Sequence, residues 1–137
     1  MSVAAPILRV LLAEDAKDFR DLVCDELRHR GFAVMPVEDG TLALQAFRNQ
    51  VFDVVLTDLA MPGYNGLQVA KACKGQRPHV KVVLLTAWDL LLDDEDCMDH
   101  GVDLVIPKPV QMRALAAALH QVACNPAPFQ RSPRGTR

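Results

Sequence analysis

The stretch Val51-Phe52-Asp53-Val54-Val55-Leu56-Thr57-Asp58-Leu59-Ala60-Met61-Pro62-Gly63 decides the fold. Val54, Val55 and Leu56 are consecutive and apolar, as in a strand covered on both faces within a parallel sheet. Asp58 closes the run, and Pro62-Gly63 prevents the strand from continuing. A carboxylate at the C-terminal end of such a strand lies on the sheet edge where open α/β folds build their sites. A turn or helix-capping aspartate is the competing reading of Asp58 taken alone.

Working outward, apolar runs at 7–13, 80–85 and 104–106 and a short one at 32–37 predict four further strands. Pro36 suits an edge for 32–37. The run 7–13 leads into Glu14-Asp15, and Asp15 or Asp18 is placed to cap a helix reaching about Arg30. Phe19, Leu22, Val23 and Leu27 form its stripe, and Gly31 stops it. Gly40 and Thr41 open a second helix with Leu42, Ala43, Ala46 and Phe47 inward. Leu67, Val69, Ala70 and Cys73 mark a third. Residues 90–100 predict a fourth helix of low local stability, with four acids in its first turn and a thin stripe of Leu92, Cys97 and Met98. Met112, Leu115, Ala116, Leu119 and Val122 line the fifth.

Strands that alternate with helices in this way predict a doubly wound α/β domain over 7–124. The expected form is a (βα)5, flavodoxin-like three-layer sandwich with parallel sheet order 2-1-3-4-5. Residues 125–137, with Pro126, Pro128 and Pro133, read as a disordered tail or the stub of a linker.

Of the 137 residues half are hydrophobic and 23% charged, with a net charge of −2. That length holds one domain with one sizeable core. The balance gives no basic surplus for nucleic acid or an anionic membrane, and Arg131, Arg134 and Arg137 are too few to change this. The run 7–13 is interrupted by Arg9 and followed at once by Glu14-Asp15, so it is neither a signal peptide nor a membrane span. Cys24, Cys73, Cys97 and Cys124 are widely spaced, without metal-ligand spacing, and read as buried thiols in a reducing, cytoplasmic setting.

With strands one and three adjacent, Glu14, Asp15 and Asp58 meet at one edge. Three carboxylates so close repel one another and require a cation, and hard oxygen donors with room for water suit Mg²⁺ (or Mn²⁺). Strands four and five bring Thr86 and Lys108 to the same edge. The set fits a site that carries a phosphoryl group on a carboxylate, with Asp58 as nucleophile and Thr86 and Lys108 on the phosphoryl oxygens. Each residue alone has a plain structural reading as a cap, a strand end or a solvated lysine. Their joint occurrence at successive strand ends favours the site.

Leu12-Ala13-Glu14-Asp15, Asp58-Leu59-Ala60-Met61-Pro62 with Gly66 beyond, Thr86-Ala87 and Pro107-Lys108-Pro109 together resemble a response-regulator receiver domain of two-component signalling, from about Arg9 to Ala123. The resemblance implies that Asp58 is the phosphoacceptor and that Glu14 and Asp15 bind the metal with the Ala60 backbone carbonyl. It implies that Thr86, Ala87 and Lys108 serve the phosphoryl group, and that the Lys108–Pro109 bond is cis. The implied partners are a histidine kinase or phosphotransfer protein upstream and a protein target or fused output domain downstream, with homodimerisation left open. The chain would then be an autocatalytic phosphoacceptor rather than an enzyme.

Two positions depart from that pattern. Val105 stands where receivers usually carry an aromatic switch residue, so the signal is expected to travel through the 86–88 loop and the fourth helix. Trp88 replaces a smaller polar residue, and with Ala60 it borders the approach of hydrolytic water; both are candidate modulators of phosphoryl lifetime. No basic helix-turn-helix pattern follows Val122. A receiver-like scaffold that binds partners without phosphorylation is the alternative. A phosphohydrolase is disfavoured because Ala60 occupies the place of a general acid.

Overall fold

Along β1 (Arg9–Ala13) the side chains alternate between two cores. Val10 and Leu12 join one buried cluster with Val23, Cys24 and Leu27 of α1 (Lys17–His29) and Leu115, Ala116 and Leu119 of α5 (Met112–Cys124). Leu11 and Ala13 join the other, with Ala43 and Phe47 of α2 (Gly40–Asn49), Val69, Ala70 and Cys73 of α3 (Gly66–Gln76), and Cys97 of α4 (Asp94–Asp99). This period-two alternation beneath helices on both faces makes the three layers. The computed structural model describes residues 6–133.

β1 pairs in parallel with β2 (Ala33–Val37) and β3 (Val54–Thr57); β4 (Lys81–Thr86) and β5 (Leu104–Pro107) follow. The order is the expected 2-1-3-4-5, with one addition: a two-residue β6 (Gln130–Arg131) lies parallel to β5 on its outer edge. The reading of 125–137 as a disordered tail or linker stub is therefore corrected for the described part. Backbone pairing with β5, and the bonds of its own Arg131 to the β4–α4 connection, hold it in place, outweighing its prolines. Residues 134–137 lie outside the described part, Arg134 and Arg137 among them.

Two local expectations also change. α1 begins at Lys17 with Ala16 at the cap position and no side-chain cap, so neither Asp15 nor Asp18 caps it. The expected helix over 90–100 is divided into a 3-10 turn, Asp89–Leu91, and the six-residue α4, which Asp93 caps. Leu90 and Leu91 are each 78% exposed, so that end has no apolar face to support a longer helix. By contrast Asp39 caps α2 through the Leu42 amide, and Asn65 forms a capping box with Gln68 at α3.

Gly66 opens α3 against the end of β3. A Cβ there would fall against the Asp58 carbonyl oxygen and 2.9 Å from Leu84 Cδ2, leaving little room to relax. Gly66→Ala is therefore expected to lower stability by about 1–3 kcal/mol, the usual range for overpacking. Denaturant unfolding measures it, and an unchanged midpoint would contradict the close packing.

Cys24, Cys73 and Cys97 are buried free thiols as expected, but Cys124 is exposed, because it ends α5 beyond the buried stripe of Leu115, Ala116 and Leu119. Burial pushes the Cys73 thiol up to about 12, which leaves it protonated and inert. Among the described residues no helix is long and apolar enough to cross a membrane.

Candidate functional site

Parallel pairing of β1 with β3 places Ala13 opposite Thr57, so the residues that follow each strand come out side by side. The Asp58 amide donates to the Ala13 carbonyl, which fixes the start of the β3 loop beside Glu14-Asp15. Carboxylate oxygens of Glu14, Asp15 and Asp58 all lie within 4.8 Å of one another. Glu14 is buried, Asp15 exposed and Asp58 half-buried.

Lys108, one residue past β5, closes the cluster. Its Nζ donates to Glu14 Oε1 at 2.8 Å and reaches Asp58 Oδ2 at 3.4 Å. The ammonium also lies 4.5 Å from the centre of the Phe19 ring, whose π face favours a cation. The Lys108–Pro109 bond is cis. Burial raises the pKa of Glu14 above its ordinary 4.5, against the opposing pull of Lys108 and of the Ala16 amide. Asp58 Oδ1 accepts the Leu59 amide at 2.7 Å, which sets the carboxylate's orientation.

Thr86 ends β4 fully buried, and its hydroxyl accepts the Trp88 amide at 3.0 Å. Its carbonyl accepts the Lys108 amide at 2.9 Å, tying the β4 and β5 ends together. Ala60 and Ala87 are exposed. Trp88 is 53% exposed, so its indole stands largely in solvent. Val105 is buried in the α2/α3/α4 cluster.

The structure thus groups Glu14, Asp15, Asp58 and Lys108 directly, and sets Thr86, Ala87 and Trp88 on the next strand end. Sequence reasoning missed two supports. Arg20 donates to the backbone carbonyls of Glu14 and Asp15, at 2.8 and 3.4 Å, and pins the acid pair. Phe19, read from the sequence only as part of the apolar stripe of α1, also carries the lysine. Neither has a sequence signal beyond its place in the first turn of α1.

The donors fit a hard divalent cation: three clustered carboxylates, one of them buried with a single ammonium as counter-charge. Glu14, Asp15 and Asp58 would hold it, with exposed Ala60 offering a carbonyl from the adjoining loop.

The description "response regulator receiver domain" fits residues 10–120 of the chain. The chain is 35% identical over 113 residues to the sensory transduction protein RegX3 of Mycolicibacterium smegmatis, covering 82% of this chain and 49% of that protein. It is 32% identical over 112 residues to the transcriptional regulatory protein TctD of Salmonella typhimurium, covering 82% and 50%. It spans about half the length of these relatives. Among solved structures, the receiver domain of a sensor histidine kinase from Pseudomonas aeruginosa, with a magnesium ion coordinated in its active site cleft, matches with TM-score 0.79 and 26% identity over 88% of this chain and 100% of that one. The response regulator TrrA of Thermotoga maritima, in complex with Mg²⁺ and a beryllofluoride group, matches with TM-score 0.78 and 28% identity over 85% and 99%.

Proposed function

Because this chain belongs to the response regulator receiver domain family, we propose that it is a phosphorylatable receiver, with Asp58 accepting a phosphoryl group from the phosphohistidine of a histidine kinase or phosphotransfer protein. The observation that carries the reading is the Asp58 carboxylate at the end of β3, with two further acids within 4.8 Å and Lys108 Nζ at 3.4 Å. An oxygen of Asp58 attacks phosphorus, the phosphorus–nitrogen bond breaks, and the imidazole leaves with the electron pair and takes up a proton. Mg²⁺ (or Mn²⁺), when bound, would offset the negative charge that gathers on the phosphoryl oxygens.

The chain's own residues do the rest. Leu59 N–H holds one Asp58 oxygen, so the carboxylate enters the reaction already oriented. Lys108 brings a fixed positive charge, and its contact with Glu14 keeps that charge at the site. Thr86 exchanges its bond to the Trp88 amide for one to the phosphoryl group, with Ala87 offering its amide beside it. That exchange frees the 86–88 loop and displaces the connection to α4, a route open without an aromatic ring at Val105. The output is a changed face for a protein target or a fused output domain, in a cytoplasmic setting. Incubation with acetyl phosphate and Mg²⁺ followed by mass spectrometry tests the reading: one added phosphate is expected, continuous release of phosphate would mean a hydrolase, and no reaction would favour a scaffold, for which buried Val105 is the supporting feature.

The phospho-form should decay slowly. Ala60 offers an incoming water no side-chain hydrogen bond, and an indole at position 88 supplies a donor but no base. One missing orienting contact of about 1.4 kcal/mol slows hydrolysis roughly tenfold. Ala60→Asn is expected to shorten the lifetime by about that factor and Trp88→Glu by less. If neither does, these positions do not control the water. The solvent exposure of Trp88 makes Ala60 the stronger of the two.

A further inference from the structure

β6 does more than finish the sheet. Gln130 N–H donates to the Asp103 carbonyl at 3.0 Å and Ser132 N–H to the Val105 carbonyl at 2.9 Å, so the outer edge of β5 is paired. Phe129, like Leu92, packs against the α2/α3/α4 cluster that contains Val105 and Cys97. Arg131 then reaches across to the connection between β4 and α4. Its Nε donates to Asp94 Oδ1 at 2.5 Å, Nη1 to the Asp89 carbonyl at 2.9 Å and Nη2 to the Leu92 carbonyl at 2.7 Å.

That connection has a thin apolar anchor, though Asp89 within it is buried. Leu90 and Leu91 are exposed, and α4 buries only Cys97. A turn with so thin an apolar anchor opens easily unless hydrogen bonds restrain it. The planar guanidinium supplies them. Its three nitrogens meet two backbone carbonyls and a carboxylate in one fork, which a lysine cannot reproduce.

We propose that the outer edge of β5 and the carbonyl-lined 89–94 bend form one recognition site for an extended Phe-x-Arg segment, which this chain fills with its own residues 129–131 as a latch on the bend. The latch and the bend open together. A partner strand that adds to β5 must first displace residues 129–132, and doing so frees the connection that begins three residues after Thr86. A cover that only blocked an exposed strand edge would need backbone pairing alone. The three Arg131 bonds to residues 37–42 positions earlier set this arrangement apart.

The test is amide hydrogen exchange on the full chain, comparing wild type, Arg131→Ala, Arg131→Lys, Asp94→Asn and the double variant Arg131→Ala/Asp94→Asn. Arg131→Ala is expected to speed exchange roughly tenfold at Gln130 and Ser132 and also at Leu91 and Leu92, whose amides close the bend. Arg131→Lys should behave nearly as the alanine variant. Asp94→Asn should loosen Gln130 and Ser132 from across the interface, and the double variant should add little to Arg131→Ala. Loosening confined to 130 and 132 would overturn the latch and leave an edge cover. Unchanged exchange at all four amides would overturn it as well. Protection that rises with protein concentration would overturn the intramolecular assignment, since a second copy would then supply the strand.

Discussion

Asp58→Asn is expected to take up no phosphoryl group from acetyl phosphate and Mg²⁺ while remaining folded. The substitution keeps the size of the side chain and an oxygen able to accept the Leu59 amide, so the β3 loop keeps its path. It removes the proposed nucleophile, because an amide oxygen lacks the charge and the lone-pair availability of a carboxylate. It also removes one of the two carboxylates that face Lys108, which lowers repulsion in the cluster. Loss of labelling in a chain of undiminished stability therefore separates chemistry from folding. Asp15→Asn is the matched control. On the proposed reading, in which Asp15 holds the metal rather than attacking phosphorus, it should lower labelling at limiting Mg²⁺ and regain it as Mg²⁺ is raised. Undiminished labelling of Asp58→Asn, or a phosphate mapped to a peptide lacking residue 58, would sink the assignment.

What the sequence made legible follows from which interactions leave a local pattern. The β3 run is a strand because Val54, Val55 and Leu56 are apolar on both faces, and burial of all three bears that out. The same rule found β1, β4 and β5, and parallel crossover logic then put Glu14, Asp15, Asp58 and Lys108 on one edge. The latch left no such pattern. Two residues of strand have no periodicity, and Pro126, Pro128 and Pro133 argue against any strand nearby. The partners of Arg131 include two backbone carbonyls, which every residue possesses, so no sequence feature marks them out. Leu90-Leu91-Leu92 misled in the opposite direction: an apolar triplet suggested helix, yet two of its side chains face solvent and only Leu92 packs inward. The cap of α1 failed for a related reason. Asp15 and Asp18 have capping chemistry, but Asp15 points into the acid cluster and Asp18 already lies inside the first turn.

Lys108→Met is expected to destabilise the metal-free protein by about 3 kcal/mol, the lower end for breaking a buried ion pair. Glu14 is 2% exposed and its Oε1 has the lysine ammonium at 2.8 Å, so removing the cation leaves a carboxylate with neither water nor counter-charge. Methionine keeps most of the stem against Phe19 and so isolates the charge from the packing. Two features hold the loss to that lower end: the lysine side chain keeps 21% of its surface in solvent, and Glu14 can take up a proton. The second gives the loss a pH signature. A folded pKa above 4.5 means the folded chain retains a proton that the unfolded chain has released. Stability from this group therefore falls as pH rises between the two values, and the variant widens the interval by removing the lysine's downward pull. Its deficit should shrink toward mildly acid pH. Mg²⁺ should shrink it at neutral pH, because a cation at the same carboxylates replaces the lost charge, and Glu14→Gln in the Lys108→Met background should recover most of the stability by removing the stranded charge. Denaturant midpoints with and without Mg²⁺ at two pH values decide the matter: equal stability of Lys108→Met and wild type, unmoved by pH or metal, would show that Lys108 contributes nothing to holding the acid cluster together.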